Sequence, residues 1–220
     1  IWSDGRAARQ ARDFFARQPE DNWYLTTGNG FPPPLYTLFK TMWLRDELPE
    51  IFAQTRHILG TKDFINFRLT GTIATDPSYA SGSGLYELTA GRYVAGYAQA
   101  AGVSLGLFPE IRPSSAPVGP VLPDIARTLG LPGDVQVMAG GVDNSCMALG
   151  GRCFDPGDAY LSLGSSSWIS VASSQPILDA RVRPYVFAHV LPDRFVSATS
   201  IFSSGTSVDW LRAMLTPGAD

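Results

Sequence analysis

The sequence is poor in the residues from which disulfide frameworks and structural metal sites are built. Its 220 residues include only two cysteines, Cys146 and Cys153, and two histidines, His57 and His189. Two cysteines exclude a disulfide-stabilised scaffold and suit a reducing compartment, so we expect a cytoplasmic protein. With two histidines and no Cys-x-x-Cys pair, the sequence also argues against a structural zinc site.

The sequence also lacks a strong charge excess and long apolar runs. Lysine and arginine number 17 and aspartate and glutamate 20, which gives a net charge of −3 without any basic run. This balance argues against nucleic acid or an anionic membrane as the main partner. No apolar stretch reaches the roughly 18 residues that span a bilayer. Arg6, Arg9 and Arg12 interrupt any signal-peptide pattern.

What the chain does contain is enough apolar material for a full-sized core. Apolar residues make up 45% of the sequence and charged residues 17%, which excludes wholesale disorder. The length suits one large domain or two ordinary ones. Because the chain opens on Ile1 rather than Met and closes on Asp220 after a helix-like segment, we expect a fragment of a longer protein.

The pattern of apolar residues changes near Cys153, where we predict a domain boundary that separates residues 1–152 from residues 153–220. The first part is predicted to be mainly helical, with a buried strand end at 57–60 and a surface loop at the Ser-, Gly- and Thr-rich segment 74–86. Its expected helices follow Asp4 and occupy residues 35–43, 61–69, 90–101, 123–129 and 143–149. The second part is predicted to form antiparallel strands at 159–163, 168–172, 186–190 and 195–198, followed by a helix after Ser204.

The sharpest local pattern is the segment Gly140-Gly141-Val142-Asp143-Asn144. It follows a predicted strand at 135–139, and its glycines allow a tight turn that places a carboxylate at the start of a helix. Strand ends in α/β folds point into ligand crevices, and a helix N-terminus favours an ionised carboxylate that can accept a proton from a hydroxyl. Aspartate is also a preferred N-cap, and on the pattern alone a purely capping Asp143 is the more common outcome.

A second candidate is the turn Gly164-Ser165-Ser166 between the first two strands of the second part. Glycine and hydroxyl residues in such a turn expose backbone N–H groups that can hold phosphate oxygens. Most Gly-Ser hairpins bind nothing, so the signal is weak by itself. No Gly-Lys-Ser/Thr follows, and the turn is therefore not a Walker loop.

Four residues near the N-terminus have both a functional and a structural interpretation. Trp2 and Tyr36 lie next to polar turns, where an aromatic face can stack on a polyol, although core packing is the more common role of a lone aromatic. Asp4 and Arg6 either bind substrate or form a structural ion pair, and on the residues alone we favour the ion pair.

Three further residues are interpreted as structural. Asp63 supplies a charge at a helix start, and Asp76 caps a loop. Cys146 has apolar neighbours in its predicted helix and is expected to be a buried small residue rather than a nucleophile.

Several short segments follow one another along nearly the whole chain in an order that is informative as a set. They are Ile1-Trp2-Ser3-Asp4-Gly5-Arg6, Thr27-Gly28-Asn29, Lys40-x-x-Trp43-Leu44, Thr61-Lys62-Asp63-Phe64, Arg68-Leu69-Thr70-Gly71, Thr75-Asp76-x-Ser78-x-Ala80-Ser81, Gly140-Gly141-Val142-Asp143-Asn144, Ser162-Leu163-Gly164-Ser165-Ser166 and Asp209-Trp210-Leu211. Together they resemble the FGGY family of carbohydrate kinases, and most of all its xylulokinase branch. The resemblance favours a functional role for Asp143 over a purely capping one.

The resemblance implies an α/β protein built from two actin-like, ribonuclease-H-like domains on either side of a cleft. Residues 1–152 would be the end of the first, sugar-binding domain, and residues 153–220 the start of the second, ATP-binding domain. Asp143 matches the family's catalytic base. The residues expected at the substrate are Asn144, Trp2, Tyr36 and Asp4, and those expected at the ATP phosphates are Gly164, Ser165 and Ser166. ATP with Mg²⁺ would be the cofactor, a sugar the partner and a homodimer the expected assembly, since many relatives are dimers.

This sequence departs from the family pattern in a few positions. Ser165 stands where the family usually has threonine, which keeps the hydroxyl, and Leu35 and Thr41 are unusual for their signature. The family's first phosphate loop would lie before Ile1 and its adenine site after Asp220. We therefore expect the isolated 220 residues to be inactive.

The expected function is ATP-dependent phosphorylation of a sugar hydroxyl. A ketopentose such as xylulose is the first choice of substrate. The reason is the segment Gly141-Val142-Asp143-Asn144, because the glycerol branch has Asp-Gln in place of Asp143-Asn144. The alternatives are a kinase of glycerol or another polyol or sugar in the same family, and a non-catalytic actin-like protein that binds sugar or nucleotide.

Overall fold

The computed structural model describes residues 3–216, which form short helices and four small sheets. The helices are α1 (Ala8–Phe15), α2 (Glu20–Thr27), α3 (Thr37–Glu47), α4 (Pro49–Gln54), α5 (Thr61–Thr70), α6 (Pro77–Ala80), α7 (Ala95–Ala101), α8 (Pro123–Leu129), α9 (Asp143–Gly150) and α10 (Gly205–Leu215). The strands are β1 (Ala74–Thr75), β2 (Tyr86–Glu87), β3 (Arg92–Tyr93), β4 (Glu110–Ile111), β5 (Pro117–Pro120), β6 (Gln136–Met138), β7 (Ala159–Leu163), β8 (Ser167–Ser173), β9 (Tyr185–Ala188) and β10 (Phe195–Ile201). No helix within residues 3–216 combines the length and the apolar character needed to cross a lipid bilayer.

Aromatic side chains form the centre of the core in the first part of the chain. Phe14 of α1, Trp23 of α2 and Phe39 of α3 are each almost completely buried. Phe39 meets the other two rings edge to face, with its centroid 5.4 Å from Phe14 and 5.6 Å from Trp23. Such pairs add to the free energy gained from burying apolar area, so these three helices are held together around Phe39.

The largest sheet has four antiparallel strands in the order β7–β8–β10–β9. The two hairpins predicted from the alternating pattern, β7 with β8 and β9 with β10, are both confirmed. On the buried face of the sheet, Ala172 and Val196 pack with Cys153 and with Ala148 of α9. Helix α9, which begins at Asp143, is therefore packed directly on this sheet.

Strand β9 joins the sheet to the first part of the chain. The Val186 N–H donates to the Gly28 carbonyl at 2.9 Å, and the Ala188 N–H donates to Ser81 Oγ at 3.0 Å. Ser145 Oγ of α9 donates to the Ala188 carbonyl at 2.9 Å. Gly28 has a φ of 67°, and a Cβ there would lie 2.7 Å from the Cβ of Val186, so the close approach of the two segments requires glycine.

The segment 74–86, predicted to be a surface loop, is one of the most buried parts of the protein. Asp76, Ser78 and Ser81 have no exposed surface, and the segment contains β1, α6 and the start of β2. The prediction is wrong because hydroxyl and glycine residues occur in solvated loops and also in buried turns where the hydroxyls are hydrogen-bonded. The composition of the segment does not reveal whether partners for its hydroxyls exist elsewhere in the chain.

Two other predicted elements differ in the structure. Residues 57–60 have no strand partner in the described part of the chain, although the Ile58 N–H donates to the Leu107 carbonyl at 2.7 Å. Helix α1 begins four residues after Asp4 rather than directly behind it, because the Asp4 carboxylate accepts hydrogen bonds from Arg6 and does not cap the helix.

The remaining helices largely follow the sequence pattern. Helix α5 runs from Thr61 to Thr70 and ends at Gly71, whose φ of 77° is the left-handed conformation expected of a glycine after a helix. Helices α8 and α9 begin at Pro123 and Asp143, as predicted. Helix α7 is shorter than predicted, because β3 occupies the residues before Ala95.

Replacing Phe39 by alanine tests how much the aromatic core contributes to stability. We expect Phe39→Ala to lower the free energy of unfolding by about 3–5 kcal/mol, because a fully buried ring is replaced by a cavity. Phe64→Ala removes a ring that is 46% exposed and should cost less than about 1 kcal/mol. Urea denaturation followed by circular dichroism compares the two variants, and equal losses would show that Phe39 does not anchor the core.

Candidate active site

The elements around Asp143 are a short strand, a tight turn and a helix. Strand β6 ends at Met138, residues 139–142 form the turn, and Asp143 is the first residue of α9. Val142 occupies the N-cap position in an extended conformation, with φ −67° and ψ 149°. The interpretation of Asp143 as the N-cap residue is therefore wrong by one position, although its carboxylate does lie at the helix N-terminus.

The Asp143 side chain is exposed to solvent and bonded locally. Its Oδ1 accepts a hydrogen bond from the N–H of Asn144 at 2.8 Å. A carboxylate has four lone-pair sites, so this one bond leaves the group able to accept a proton or a further hydrogen bond from a ligand. An exposed carboxylate on the first turn of a helix is also favourably placed in the field of the helix dipole.

The turn before Asp143 is tightly packed on one side. A Cβ at Gly141 would lie 2.2 Å from Cγ1 of Val190 and 3.2 Å from Oγ of Ser78. The preceding residue, Gly140, has a φ of 74°, which disfavours other residues. The turn therefore requires both glycines that were predicted to form it. Gly141 is required because there is no space for a side chain, and Gly140 because of its backbone conformation.

The turn Gly164-Ser165-Ser166 lies at the exposed end of the β7–β8 hairpin, against the start of α10. The Gly164 carbonyl accepts from the N–H of Gly205 at 3.0 Å, and the Ser165 carbonyl accepts from the N–H of Ser204 at 2.8 Å. These bonds direct the carbonyl oxygens of Gly164 and Ser165 toward the helix, while the Ser166 carbonyl accepts from the Gly164 N–H at 2.9 Å. The turn is consequently fixed in place while its serine side chains remain exposed.

Strand β7 connects the Asp143 helix with this turn. The Tyr160 hydroxyl contacts the carbonyl oxygen of Asn144 at 3.5 Å, and the same strand continues into Gly164. At about 3.3 Å per residue, the turn lies roughly 13 Å along the strand from Tyr160. The structure therefore places the predicted base and the predicted phosphate turn on directly connected elements.

Tyr36 lies in the core. Its side chain is 5% exposed, its ring centroid is 5.6 Å from that of Trp23, and its hydroxyl accepts a hydrogen bond from the Phe31 N–H at 2.8 Å. Burial raises the pKa of Tyr36 well above its usual range. These contacts favour core packing over contact with a substrate.

Asp4 forms the structural ion pair that its sequence context favours, and Trp2 lies outside the described residues. Both carboxylate oxygens of Asp4 bond to Arg6, the shortest contact being 2.7 Å to a terminal guanidinium nitrogen. These hydrogen bonds hold the pKa of Asp4 well below its usual range. The Arg6 guanidinium in turn lies over the Trp43 ring, 4.2 Å from its centroid. Asp4, Arg6 and Lys40 line a cavity of about 250 Å³ at this end of the molecule.

The interpretation of Cys146 as a buried residue is wrong. The residue is exposed on α9, although partial desolvation still raises the pKa of its thiol. The apolar neighbours in its sequence lie on the same short helix but not all on its buried side, and Met147 and Leu149 are exposed as well.

Sequence reasoning missed a group of buried charges behind the Asp143 turn. Lys62 Nζ lies 2.6 Å from Asp63 Oδ1, 3.0 Å from Asp76 Oδ1 and 2.7 Å from the Ala139 carbonyl at the start of the turn. The prediction that Asp76 is a capping residue is confirmed, since its carboxylate accepts a hydrogen bond from the Ser78 N–H at 2.9 Å at the start of α6. Burial raises the pKa of Asp63. The signals in the sequence were the segments that contain Lys62 with Asp63 and Asp76 with Ser78, and neither segment carries information on burial.

Substituting Gly141 tests how closely the turn is packed. Gly141→Ala should lower the free energy of unfolding by about 1–3 kcal/mol, because its new methyl group would overlap Val190. Gly133→Ala is the matched control, since nothing lies within 4 Å of a Cβ at that position. Thermal unfolding of both variants measures the difference, and two equally stable proteins would contradict the packing described for the turn.

Comparison of the sequence with known proteins finds similarity to carbohydrate kinases, both in a family profile and in individual relatives. A profile of the FGGY family of carbohydrate kinases, N-terminal domain, matches residues 1–150. The xylulose kinase of Escherichia coli (strain K12) is 31% identical over 210 residues, which are 96% of this chain and 43% of that protein. The L-fuculokinase of Salmonella typhi is 35% identical over 139 residues, which are 63% of this chain and 29% of that protein.

Solved structures agree with the sequence relatives. The crystal structure of xylulose kinase from Rhodospirillum rubrum matches with a TM-score of 0.91 and 27% identity over 99% of this chain and 44% of that one. This likeness confirms the predicted α/β, actin-like fold class. The chain spans less than half the length of these relatives. Since the family profile covers most of its residues, this chain belongs to the FGGY family of carbohydrate kinases.

Proposed function

We propose that the protein carrying this chain is an ATP-dependent sugar kinase whose substrate is a ketopentose such as xylulose. The observation that carries the proposal is Asp143, an exposed carboxylate at the first turn of α9, in a chain of the carbohydrate kinase family. Its position after a rigid turn suits a group that must be held in place while it accepts a proton. The xylulose kinases among the relatives supply the choice of sugar.

In the proposed mechanism Asp143 is the general base. Its carboxylate accepts the proton of the sugar hydroxyl as that oxygen attacks the γ-phosphorus, and the bond between this phosphorus and the leaving ADP oxygen breaks. Mg-ATP, when bound, supplies the phosphoryl group and neutralises charge on its oxygens. The contribution of the protein is then mainly to position these groups.

Asn144 is the proposed sugar contact beside the base. It follows Asp143 on the same turn of α9 and is partly exposed, so its amide can donate to and accept from sugar hydroxyls. Trp2 keeps its proposed role at the sugar. Tyr36 and Asp4 are given no sugar contact, because their side chains are engaged in the core and with Arg6.

The turn Gly164-Ser165-Ser166 is the proposed contact to the ATP phosphates, and its geometry fits an anion. The carbonyl oxygens of Gly164 and Ser165 accept hydrogen bonds from the start of α10, and that of Ser166 accepts from the Gly164 N–H, so these acceptors are already occupied. The serine hydroxyls are left to donate to phosphate oxygens. We propose Mg²⁺ as the cation that accompanies ATP, as phosphoryl transfer generally requires. Within residues 3–216, no group of three or more His, Cys, Asp or Glu side chains is arranged to hold a metal ion.

The proposal also keeps three expectations from the sequence. These are a domain boundary between residues 152 and 153, a cytoplasmic location and a homodimer.

The identity of the sugar is tested with a panel, because one relative is an L-fuculokinase. Xylulose, ribulose, L-fuculose, glycerol and gluconate are offered with Mg-ATP to the complete protein that carries this chain, and ADP release is recorded. Saturable turnover of one sugar supports the proposal, and a folded protein that binds ATP but turns over none contradicts it.

The role of Asp143 as base is tested with Asp143→Asn. We expect kcat to fall by about 10²- to 10⁴-fold with little change in KM, because a general base acts in the transition state. The amide oxygen can still accept the Asn144 N–H, so the fold should persist. Asp124→Asn is the control, since Asp124 is also exposed in the first turn of a helix. If both variants keep wild-type kcat, Asp143 is only a helix-start charge.

The nucleotide turn is tested with Gly205→Ala. A Cβ at Gly205 would lie 2.5 Å from the carbonyl oxygen of Gly164, so the backbone of the turn must shift. We expect the Kd for ATP to rise about tenfold, as for the loss of roughly one hydrogen bond, while sugar binding is unaffected. Gly133→Ala again serves as the control. Isothermal titration calorimetry measures both ligands, and an unchanged Kd for ATP would remove the turn from the proposed nucleotide site.

A further inference from the structure

A buried carboxylate lies behind the turn that carries Asp143. Asp76 has no exposed surface, and its Oδ2 accepts three hydrogen bonds. The donors are Ser78 Oγ at 2.5 Å, the Ser78 N–H at 2.9 Å and Ser114 Oγ at 2.9 Å. A buried charge is costly unless it is paired and hydrogen-bonded, so this arrangement must be maintained for the segment to stay folded.

Lys62 forms an ion pair with Asp76 and links the network to the turn. Its Nζ lies 3.0 Å from Asp76 Oδ1, an ion pair without hydrogen-bond alignment, and donates to Asp63 Oδ1 at 2.6 Å. The same nitrogen donates to the Ala139 carbonyl at 2.7 Å. The first residue of the turn is thereby attached to the buried charges.

Ser78 attaches the other end of the turn. Its Oγ donates to Asp76 and accepts a hydrogen bond from the Val142 N–H at 2.9 Å. An ionised carboxylate can only accept hydrogen bonds, so the Ser78 hydrogen points to Asp76 and an oxygen lone pair is left for Val142. Asp76 therefore orients Ser78, and Ser78 holds the residue directly before Asp143.

The residues between these two attachments are the ones that need to be held. Gly140 and Gly141 have the greatest backbone freedom of any residue type, and an unrestrained Gly-Gly turn would leave the start of α9 poorly fixed. The Gly140 N–H adds a third attachment by donating to the Ser114 carbonyl at 2.9 Å. That third bond is made by backbone atoms alone.

We infer that Ser78, oriented by Asp76, is a positioning residue for Asp143: it holds the Val142 amide and so fixes the first turn of α9, from which the carboxylate projects. The kinetic part of this inference rests on the proposed function, since it takes Asp143 as the base. The structural part concerns the order of the turn and does not depend on catalysis.

Two serine substitutions separate this role from a general effect on the network. Ser78→Ala and Ser114→Ala each remove one hydroxyl that donates to the same oxygen of Asp76, but only Ser78 also contacts Val142. Misplacing a reacting group by about 1 Å can cost about 100-fold in rate. We expect Ser78→Ala to lower kcat about 10- to 100-fold, with KM for the sugar and for ATP within about threefold. Ser114→Ala should retain at least about half of the wild-type kcat.

The order of the turn is measured independently by amide hydrogen exchange. Both variants and the wild type are prepared as the complete protein that carries this chain, and exchange is followed by mass spectrometry in peptides that cover residues 139–146. Ser78→Ala should exchange at least about tenfold faster in these peptides, whereas Ser114→Ala should match the wild type there. If Ser78→Ala does not fold, Ser78→Cys takes its place under the same criteria, because a thiol is a weaker donor and acceptor.

The two readouts distinguish failure of the inference from failure of the proposed function. A wild-type protein without sugar kinase activity overturns the proposed function, and hydrogen exchange alone then decides the structural part of the inference. Equal exchange in the two variants overturns the inference whatever the activity. Faster exchange in Ser78→Ala with an unchanged kcat also overturns it, because the turn would then be loosened without consequence for the base.

Discussion

The part of the fold that carries Asp143 depends on the ion pair between the partly buried Lys62 and the fully buried Asp76. The lysine belongs to α5 and the aspartate to the segment before α6. Lys62 donates to the Ala139 carbonyl at one end of the 139–142 turn, and Ser78, which donates to Asp76, accepts from the Val142 N–H at the other end. Removing charges from water is costly. For Asp76 the cost is offset by three hydrogen bonds to one of its carboxylate oxygens, and for Lys62 by a further contact with the carboxylate of Asp63. The same desolvation fixes the relative position of the two side chains, because displacing Lys62 would leave the buried Asp76 carboxylate without its partner.

Helix α9 transmits this constraint to the rest of the molecule. Its first residue is the candidate base, Ser145 bonds to β9, and Ala148 packs in the core under β8 and β10. Because the helix has only eight residues, its first turn and its packed face cannot move independently by much. The hairpin turn at Gly164 lies at the end of the β7–β8 hairpin of the same sheet and is bonded to the start of α10, so base and turn belong to one continuous framework.

The two interpretations of Asp143, catalytic base and helix-start charge, are compatible in structure. A carboxylate at the first turn of a helix gains from the dipole whether or not it meets a substrate. What distinguishes Asp143 from an ordinary surface aspartate such as Asp124 is the support behind it. A partly buried lysine, two buried carboxylates and two serines support its turn, whereas α8 starts at a proline without any side-chain cap.

The sequence by itself determined the fold class through the order of the family motifs along the chain. The hairpins of the large sheet, most helices and the turn before Asp143 followed from apolar periodicity and glycine positions, which are local features of the sequence. It misjudged the burial of segment 74–86 and of Cys146 and the start of the helix after Asp4, and it left two roles open for Tyr36, core packing and substrate contact. Each of these depends on which distant groups meet a side chain: Ser78 is buried because Val142, 64 residues later, donates to it. Only the tertiary structure brings such partners together, since a hydroxyl or carboxylate has the same local sequence signature in a solvated loop and in a fully bonded interior.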